Sequence, residues 1–212
     1  EGNPDRMIIN LDVASYYPSL MIKNGYTSRS MADPHRYEEV YNTRIAAKRS
    51  GDKATANTLK LVLNSTYGAT KAEFNELFDP LMARSVCISG QLYLLELAEH
   101  LYRDINDLTI VQLNTDGLMI EYPNDQYHKV CEISNEWQQR TGFTLEEDRV
   151  ARIYQKDVNN YVEIGTDGKV KPKGSYVTFG IPDQGAFKIN NSAIICKKAL
   201  IEYFVKSVSI EY

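Results

Sequence analysis

The chain has 212 residues, a formal net charge of -4 and a sequence pI near 5.5. An acidic average excludes a globally basic nucleic-acid-binding protein, so any contact with phosphates has to come from a local patch. With 43% apolar residues and 15 Tyr, the chain can bury a sizeable core as one large domain or two small ones.

Cysteine usage and hydropathy limit the class of protein further. Cys87, Cys131 and Cys196 lie far apart with no CxxC pair, which fits buried thiols in a reducing compartment and excludes a zinc ribbon. The sequence has no apolar run of about 18 residues and no charged-then-apolar leader, so it predicts neither a membrane span nor a secretory signal. Because it begins at Glu1 and ends at Tyr212 without a stop signal, we expect a piece of a longer protein.

The first third of the chain predicts one strand and a pair of helices. MIINLD, residues 7–12, is a short apolar run typical of a buried strand, and it carries Asp12 into a loop. Residues 36–49 and 53–67 are helical in composition, and Asp52 between them is a good N-cap. The pattern therefore predicts two antiparallel helices joined by a tight turn.

The rest of the chain changes from helical spacing to strand alternation. A long helix is predicted over 81–104, a hairpin over 112–122 and an amphipathic helix over 125–140. Segments that alternate with period two follow, and the chain ends in a helix; these are strands over 143–150, 151–155, 160–164 and 169–179 and a helix over 191–206. This order predicts an α+β domain with an antiparallel sheet and helices on one face.

The hairpin contains an acid, Asp116, that has two competing interpretations. Asn and Asp-Gly suit tight turns with positive φ, so these residues alone favour a simple turn. An antiparallel sheet would also let Asp12, at the end of the first strand, face Asp116 in a neighbouring hairpin. Two such acids repel unless a cation lies between them, and Mg²⁺ needs few protein carboxylates beside water and substrate phosphates. A pair of this kind is the minimum for two-metal phosphoryl transfer.

The predicted helical pair carries cations at helical spacing. Arg44 and Lys48 lie four residues apart on the first helix, and Lys60 and Asn64 repeat that spacing on the second. Arg can fork onto phosphate oxygens and Lys can supply a point charge, as a metal-bound triphosphate requires. A solvated helix face is the alternative interpretation of such a basic stripe.

Two of the chain's motifs closely resemble those of family B DNA polymerases. DVASYYPS, residues 12–19, resembles the DxxSLYPS motif, with Tyr16 where Leu is usual. KLVLNSTYG, residues 60–68, resembles KxxxNSxYG and keeps every named position. The two motifs occur in the order that the family has.

The later motifs depart further from the family pattern. LNTDG, residues 113–117, is similar to YGDTDS but has Asn114 in place of the first Asp. The family's second Asp ligates both metals and its first is more peripheral, so the resemblance implies activity, with an attenuated or altered metal site as the alternative. Residues 159–161, Asn-Asn-Tyr, are similar to the KxY primer-strand motif with Asn for Lys, and Lys173-Gly174 follows where the family often has Lys-Gly.

The resemblance covers residues 7 to about 175 and implies a domain order. It implies a palm with an RRM/ferredoxin-like antiparallel sheet over 1–34 and 69–189, and a fingers helical hairpin over 35–68. Residues 190–212 would begin a thumb or form a C-terminal helix. The family's exonuclease lies upstream of the first motif, so we expect the exonuclease and most of the thumb to be missing from this chain.

The resemblance also implies a role for each matched residue. Asp12 and Asp116, with the backbone carbonyl of Val13, would ligate two Mg²⁺ ions, for which Mn²⁺ could substitute. Lys60 would also protonate the leaving pyrophosphate, and Tyr17 would exclude ribonucleotides as a steric gate. The residues expected to bind the dNTP are Ser15, Tyr16, Tyr17, Arg44, Lys48, Lys60 and Asn64. Those expected to contact primer-template DNA are Tyr67, Gly68, Thr115, Asn159, Tyr161 and Lys173.

Several of these roles have plain structural alternatives. Tyr17 and Tyr161 could be structural aromatics, and Gly68 could simply end a helix. A slip of one helical turn would transfer the roles of Arg44 and Lys48 to other cations, Arg49 and Lys53. Alternate lysines, Lys169, Lys171 and Lys173, would add phosphate contacts or form one solvated strand face.

Together these expectations predict a template-directed DNA polymerase core that adds dNTPs to a primer 3′-hydroxyl by two-metal phosphoryl transfer. They also predict a viral or mobile-element origin, a cytoplasmic location in the host and no association with membranes. Two alternatives are left open. One is a palm that has lost catalysis and serves as a nucleic-acid-binding or scaffold module; the other is a different two-carboxylate nucleotidyltransferase.

Overall fold

The computed structural model describes residues 5–178 and 194–208. It divides the chain into two compact units, which we call the sheet unit and the helical unit. The sheet unit comprises Glu1–Asp12, His100–Ser134 and Glu146–Tyr212, and the helical unit comprises Val13–Glu99 and Asn135–Leu145. The predicted palm and thumb segments extend into residues 1–4, 179–193 and 209–212, which lie outside the described residues.

One sheet organises the sheet unit, with strands in the spatial order β2-β3-β1-β4-β5-β6. Pairs β1–β3, β2–β3, β4–β5 and β5–β6 are antiparallel. The predicted α+β fold with an antiparallel sheet is therefore confirmed. The strands are β1 Arg6–Val13, β2 Thr109–Leu113, β3 Gly117–Pro123, β4 Leu145–Asp157, β5 Asn160–Gly165 and β6 Val170–Lys173.

The core of this sheet lies at its central strands. In β1, Ile9 and Leu11 alternate with less buried residues, as expected of a strand. In β3, three consecutive residues, Leu118–Ile120, are fully buried. A strand covered on both faces has a continuous apolar run instead of alternation, which accounts for this part of the hairpin sequence.

The helical unit contains the two helices of the predicted pair, α2 (Pro34–Ser50) and α3 (Lys53–Ala69). Asp33 caps α2 by accepting from the backbone N–H of His35 at 3.1 Å, and Asp52 caps α3 by accepting from Thr55 at 3.0 Å. Gly51 ends α2 at a φ of 80°, which glycine adopts at little cost. Local capping thus explains why the pair forms where the sequence predicts it.

The remaining helices include one that the sequence analysis missed. The chain after Asp12 was expected to be a loop, but residues Tyr16–Lys23 form α1. Pro18 indicated a loop, yet it lies in the first turn, where helical N–H groups have no intrahelical partner and proline is tolerated. Further helices are α4 (Pro80–Asp104), α5 (Tyr127–Thr141) and α6 (Ile194–Lys206), and Asn124–Gln126 forms a 3₁₀ turn.

Several boundaries also differ from the sequence prediction, and β6 ends at Lys173 although a strand was expected over 169–179. The strands expected over 143–150 and 151–155 form one strand, β4, whose register shifts between Val150 and Arg152 and between Gln155 and Asp157. Such irregularities bend a strand without ending it. Helix α3 continues to Ala69, so Gly68 lies within it and does not end it.

Candidate active site

The sheet unit brings Asp12 and Asp116 to the same end of neighbouring strands. In the antiparallel pairing of β1 with β3, Asp12 lies opposite Gly117, the residue directly after Asp116. The backbone N–H of Asn114 donates to the Gly117 carbonyl at 2.8 Å, which leaves Thr115 and Asp116 at the tip of the hairpin. The strand register therefore delivers the two acids of the first and third motifs to one place.

Glycine is needed at position 117 to leave space for the Asp12 carboxylate, and not because of the backbone conformation of the turn. Neither Asn114 nor Gly117 has a positive φ, so the left-handed turn chemistry expected of this hairpin is absent from it. A Cβ at position 117 would overlap the Asp12 Oδ1 and lie 2.6 Å from the Leu11 carbonyl oxygen. Only glycine allows β3 to approach the Asp12 carboxylate this closely.

The Asp12 carboxyl is surrounded by negative charge. Burial, and then the charges of Asp116, Asp148 and Glu163, raise its pKa to about 6. The hydrogen bond that opposes this shift comes from Asn10, whose Nδ2 donates to the Asp12 Oδ2 at 2.8 Å. A cation between the acids would stabilise the ionised form, because opposite charges at short range favour it.

The sequence analysis missed two acids of this group, Asp148 on β4 and Glu163 on β5. They were assigned only to strands, because no motif marks them. Their proximity to Asp12 depends on β4 lying beside β1, a pairing between distant segments of the chain. Knowledge of the strand order, and not of the local sequence, would have been needed to find them.

The residues present fit a Mg²⁺ site of the kind implied by the family resemblance. Within residues 5–178 and 194–208, no group of three or more His, Cys, Asp or Glu side chains could hold a metal ion. Mg²⁺, however, is commonly bound through one or two carboxylates, with water and phosphate oxygens as its other ligands. A half-buried Asp12 whose pKa is raised by neighbouring acids and an exposed Asp116 satisfy that requirement. Val13, whose carbonyl was the expected third ligand, is buried as the last residue of β1.

In the helical unit, Ser15 and Arg44 are in direct contact. The Arg44 Nη1 donates to the Ser15 Oγ, and the Arg44 Nε is buried with no hydrogen-bond partner in the described residues. Ser15 has a φ of 51° and its side chain does not cap α1. A left-handed non-glycine residue costs about 1–2 kcal/mol, and such strain is concentrated at functional sites.

The other basic and polar candidates lie on exposed helix surface. Lys48 on α2, and Lys60 and Asn64 on α3, are exposed, as is the alternative cation Arg49. Their exposure is compatible with phosphate binding and with a solvated face. A role in nucleotide binding for these three residues stays a prediction.

The aromatic candidates pack against one another in the helical unit. Tyr16 is 3% exposed and its hydroxyl donates to the Gly90 carbonyl at 2.6 Å, so a nucleotide could contact only its main chain. The rings of Tyr17 and Tyr67 meet edge to face at 4.6 Å, and the Tyr67 hydroxyl lies 2.8 Å from the Cys87 sulfur. The first and second motifs thus share one aromatic contact.

Gly68, beside Tyr67, has no packing requirement within the described chain. A Cβ added there would meet nothing within 4 Å, and its φ is not positive. The absence of a side chain at this position is therefore unexplained by the fold itself.

The expected primer-strand residues come together at the other edge of the sheet. Tyr161 on β5 pairs with Lys173 on β6, and the Lys173 Nζ lies 5.4 Å from the centre of the Tyr161 ring. Gly174, at a φ of 95°, packs against Asn159 so closely that no side chain would fit. Since alternate strand residues share a face, Tyr161 lies on the same face as Glu163.

Comparisons with known proteins give one informative result. No protein-family model matches the chain, and neither does any curated protein. Among solved structures, it is similar to the family B DNA polymerase from the hyperthermophilic archaeon Pyrobaculum calidifontis, with a TM-score of 0.60 and 17% identity. The chain has a polymerase-like fold. The match covers 81% of this chain and 28% of that polymerase.

No helix among the described residues combines the length and apolar character that a membrane span needs.

Proposed function

We propose that this chain is the core fragment of a template-directed DNA polymerase, which adds dNTPs to a primer 3′-hydroxyl. The observation that carries the proposal is the pairing of Asp12 with the hairpin of Asp116, in surroundings of surplus negative charge. The order of the motifs and the polymerase-like fold support it. Because the chain spans 28% of the similar polymerase, the activity of a whole polymerase is part of the proposal.

In the sheet unit, Asp12 and Asp116 would hold two Mg²⁺ or Mn²⁺ ions. Bound metal would activate the attacking 3′-hydroxyl and stabilise the leaving group. Asn10 orients the Asp12 carboxylate through its hydrogen bond. Glycine at position 117 keeps the space that this carboxylate needs. The primer-template would be contacted at two places. One is Thr115 at the hairpin tip, and the other is on β5, β6 and their turns, at Asn159, Tyr161 and Lys173.

In the helical unit, Arg44, Lys48, Lys60 and Asn64 would bind the nucleotide. Arg44 has the strongest support, since Ser15 orients its guanidinium and its buried Nε has no acceptor among the described residues; a phosphate oxygen would supply one. Lys60 would donate a proton to the leaving pyrophosphate. Tyr17, supported edge-on by Tyr67, would exclude a 2′-hydroxyl.

Primer extension with Mg²⁺ or Mn²⁺ tests this function. Asp116→Ala and Asp12→Asn should each lower the rate by about a thousandfold or more, because losing a metal ligand removes several kcal/mol of transition-state stabilisation. Glu132→Gln, which changes an exposed acid on α5, is the matched control and should retain activity. Extension that survives both site substitutions would refute the proposal. If Tyr17 is the gate, Tyr17→Ala should admit ribonucleotides.

A polymerase-like palm that has lost catalysis is the second candidate, and Asn114 in the third motif favours it. This protein would bind primer-template DNA in the absence of divalent cations and would extend no primer. Asn114→Asp would then be the informative variant, since a gain of extension would identify an attenuated active site. Use of an RNA template would instead indicate a different two-carboxylate nucleotidyltransferase. The compact helical pair is the basis for proposing a viral or mobile-element origin and a host cytoplasmic location.

A further inference from the structure

A row of charged side chains crosses five neighbouring strands of the sheet unit. The row begins beside the hairpin end of β3 and continues through β1, β4 and β5 to β6. Three of its acids act on the charge of the fourth, Asp12, so each of the three lies within electrostatic reach of Asp12. Its members, in spatial order, are Asp116, Asp12, Asp148, Glu163 and Lys171.

Lys171 is the cation of this row and joins two of its acids. It pairs with Glu163 across β5 and β6, and its Nζ lies 3.3 Å from the Glu163 Oε1. The same Nζ donates to the Asp148 Oδ2 on β4 at 2.7 Å, so the side chain reaches past one whole strand. Lys171 therefore has two ion-pair partners within the fold, and its side chain is 42% exposed.

The burial of Glu163 makes this cation necessary. Its side chain is 4% exposed, and its Oε1 has an ion pair with Lys171 but no hydrogen bond. A buried carboxylate without a counter-ion is strongly destabilising, whereas Asp148 is 58% exposed and could be solvated by itself. The hydrogen bond that Lys171 donates to Asp148, and the charges of both acids, raise the pKa of Lys171, which keeps it charged.

We propose that Lys171 is an internal counter-ion that confines divalent cations to the Asp12–Asp116 end of the row by occupying Asp148 and Glu163. Divalent cations such as Mg²⁺ and Mn²⁺ bind where carboxylate oxygens converge. Four acids in one row offer more than one such place. An ammonium between Asp148 and Glu163 neutralises part of their charge and occupies oxygen lone pairs that a metal would use.

Lys171 is thus a positioning residue, and the role rests on the proposed metal site. It touches neither Asp12 nor Asp116 among the contacts of the described chain; it acts by holding Asp148. Its ion pairs determine which of the four carboxylates can bind a divalent cation, and therefore how many ions bind and where.

Mn²⁺ binding, measured from the electron paramagnetic resonance signal of free Mn²⁺, tests this role without any assay of activity. Lys171→Met should add one Mn²⁺-binding event to those of the wild type or tighten binding by about tenfold, as expected for one released charge near the site. Adding Asp148→Asn should cancel that gain. Lys171→Arg should restore the wild-type titration, and Lys169→Met on the preceding turn should leave it unchanged.

A double variant keeps the test valid if Lys171→Met fails to fold. Glu163→Gln with Lys171→Met removes the buried charge together with its partner and leaves Asp148 released, so it should fold and bind Mn²⁺ more tightly than wild type. A folded double variant with the wild-type titration would overturn the role of Lys171. A separate variant tests the metal site itself. If Asp116→Ala leaves Mn²⁺ binding unchanged, the proposed function is refuted, whatever the result for Lys171.

Discussion

Two aspartates, one in each unit, show how differently this protein treats the same side chain. Asp79 in the helical unit is 3% exposed and accepts from the Arg29 side chain at 2.8 and 3.0 Å and from the backbone N–H of Arg29 at 3.0 Å. These hydrogen bonds hold its pKa well below the usual range. Asp12 in the sheet unit accepts from Asn10 and is otherwise surrounded by acids, and its pKa is raised to about 6.

The two acids differ in how far the fold itself satisfies their charge. Asp79 also accepts from the backbone N–H of Met82 at the start of α4, so its charge is satisfied inside the fold. The charge of Asp12 has less support: its carboxylate accepts a hydrogen bond from Asn10, and the neighbouring charges that shift its pKa are acids. A carboxyl group whose pKa is raised by burial and by neighbouring acids is a candidate for ligand binding, because a bound cation would stabilise its ionised form.

Of the substitutions considered, Gly117→Ala should have the largest effect on stability, and it would displace the Asp12 carboxylate. The added methyl group meets the Asp12 carboxylate and the Leu11 backbone, so β1 and β3 must separate. We expect a loss of about 2–4 kcal/mol in the free energy of unfolding, measured in urea. Gly68→Ala is the control; it meets nothing and should raise helix stability by up to about 1 kcal/mol. Equal effects of the two substitutions would contradict the close approach.

Asp79→Asn should destabilise the protein by about 1–3 kcal/mol, since it removes charge-assisted hydrogen bonds from a buried acceptor. The cost stays moderate because Arg29 is 66% exposed and can be solvated. Urea unfolding of Asp79→Asn, Arg29→Met and the double variant would measure the coupling between the two residues. Additive effects would mean that Asp79 is not stabilised by Arg29.

Asp12→Asn should change the free energy of unfolding in the opposite direction from Asp79→Asn. We expect it to stabilise the metal-free protein by about 1 kcal/mol at neutral pH, after allowance for solvent screening. The substitution removes the repulsion from Asp116, Asp148 and Glu163 and leaves a similar volume. Unfolding in the presence of a chelator would measure it. A destabilised Asp12→Asn would show that the carboxylate serves the fold.

The pH dependence of stability should distinguish the two acids as well. Since folding raises the Asp12 pKa from 3.8 to about 6, the folded state binds its proton more tightly, and stability falls as pH rises through that window. The pKa of Asp79 is lowered, so its contribution is present at neutral pH and is lost progressively as the pH falls below the ordinary value of 3.8. Difference curves between wild type and each Asn variant should slope in opposite directions. Parallel curves would contradict the account.

The parts of this structure that could be predicted from the sequence depend on local signals. The helical pair follows from Asp52 as N-cap and Gly51 as C-cap, and the β2–β3 hairpin follows from two apolar runs joined by a polar turn. The expected meeting of Asp12 with the Asp116 hairpin follows because the antiparallel register sets residues opposite one another. The helical pair and the hairpin need only neighbouring residues, whereas the meeting of Asp12 with Asp116 joins distant segments and was expected from the motifs of the family resemblance.

The parts that could not be predicted depend on contacts between distant segments. Asp148 and Lys171 join the Asp12 group only because β4 lies beside β1, and nothing in their own segments indicates that order. Tyr16, a motif residue expected at the nucleotide, is buried instead because Gly90 of α4 accepts its hydroxyl. Helix α1 was missed because the effect of Pro18 depends on its position within the first turn.

The proposal that Asp12 and Asp116 together bind divalent cations is tested by measuring Mn²⁺ binding to wild type, Asp12→Asn and Asp116→Asn, with Glu132→Gln as the control. The account predicts that Mn²⁺ binds the wild-type protein and raises its melting temperature, that either site substitution abolishes both effects, and that the control retains them. Wild-type Mn²⁺ binding by both site variants would contradict it.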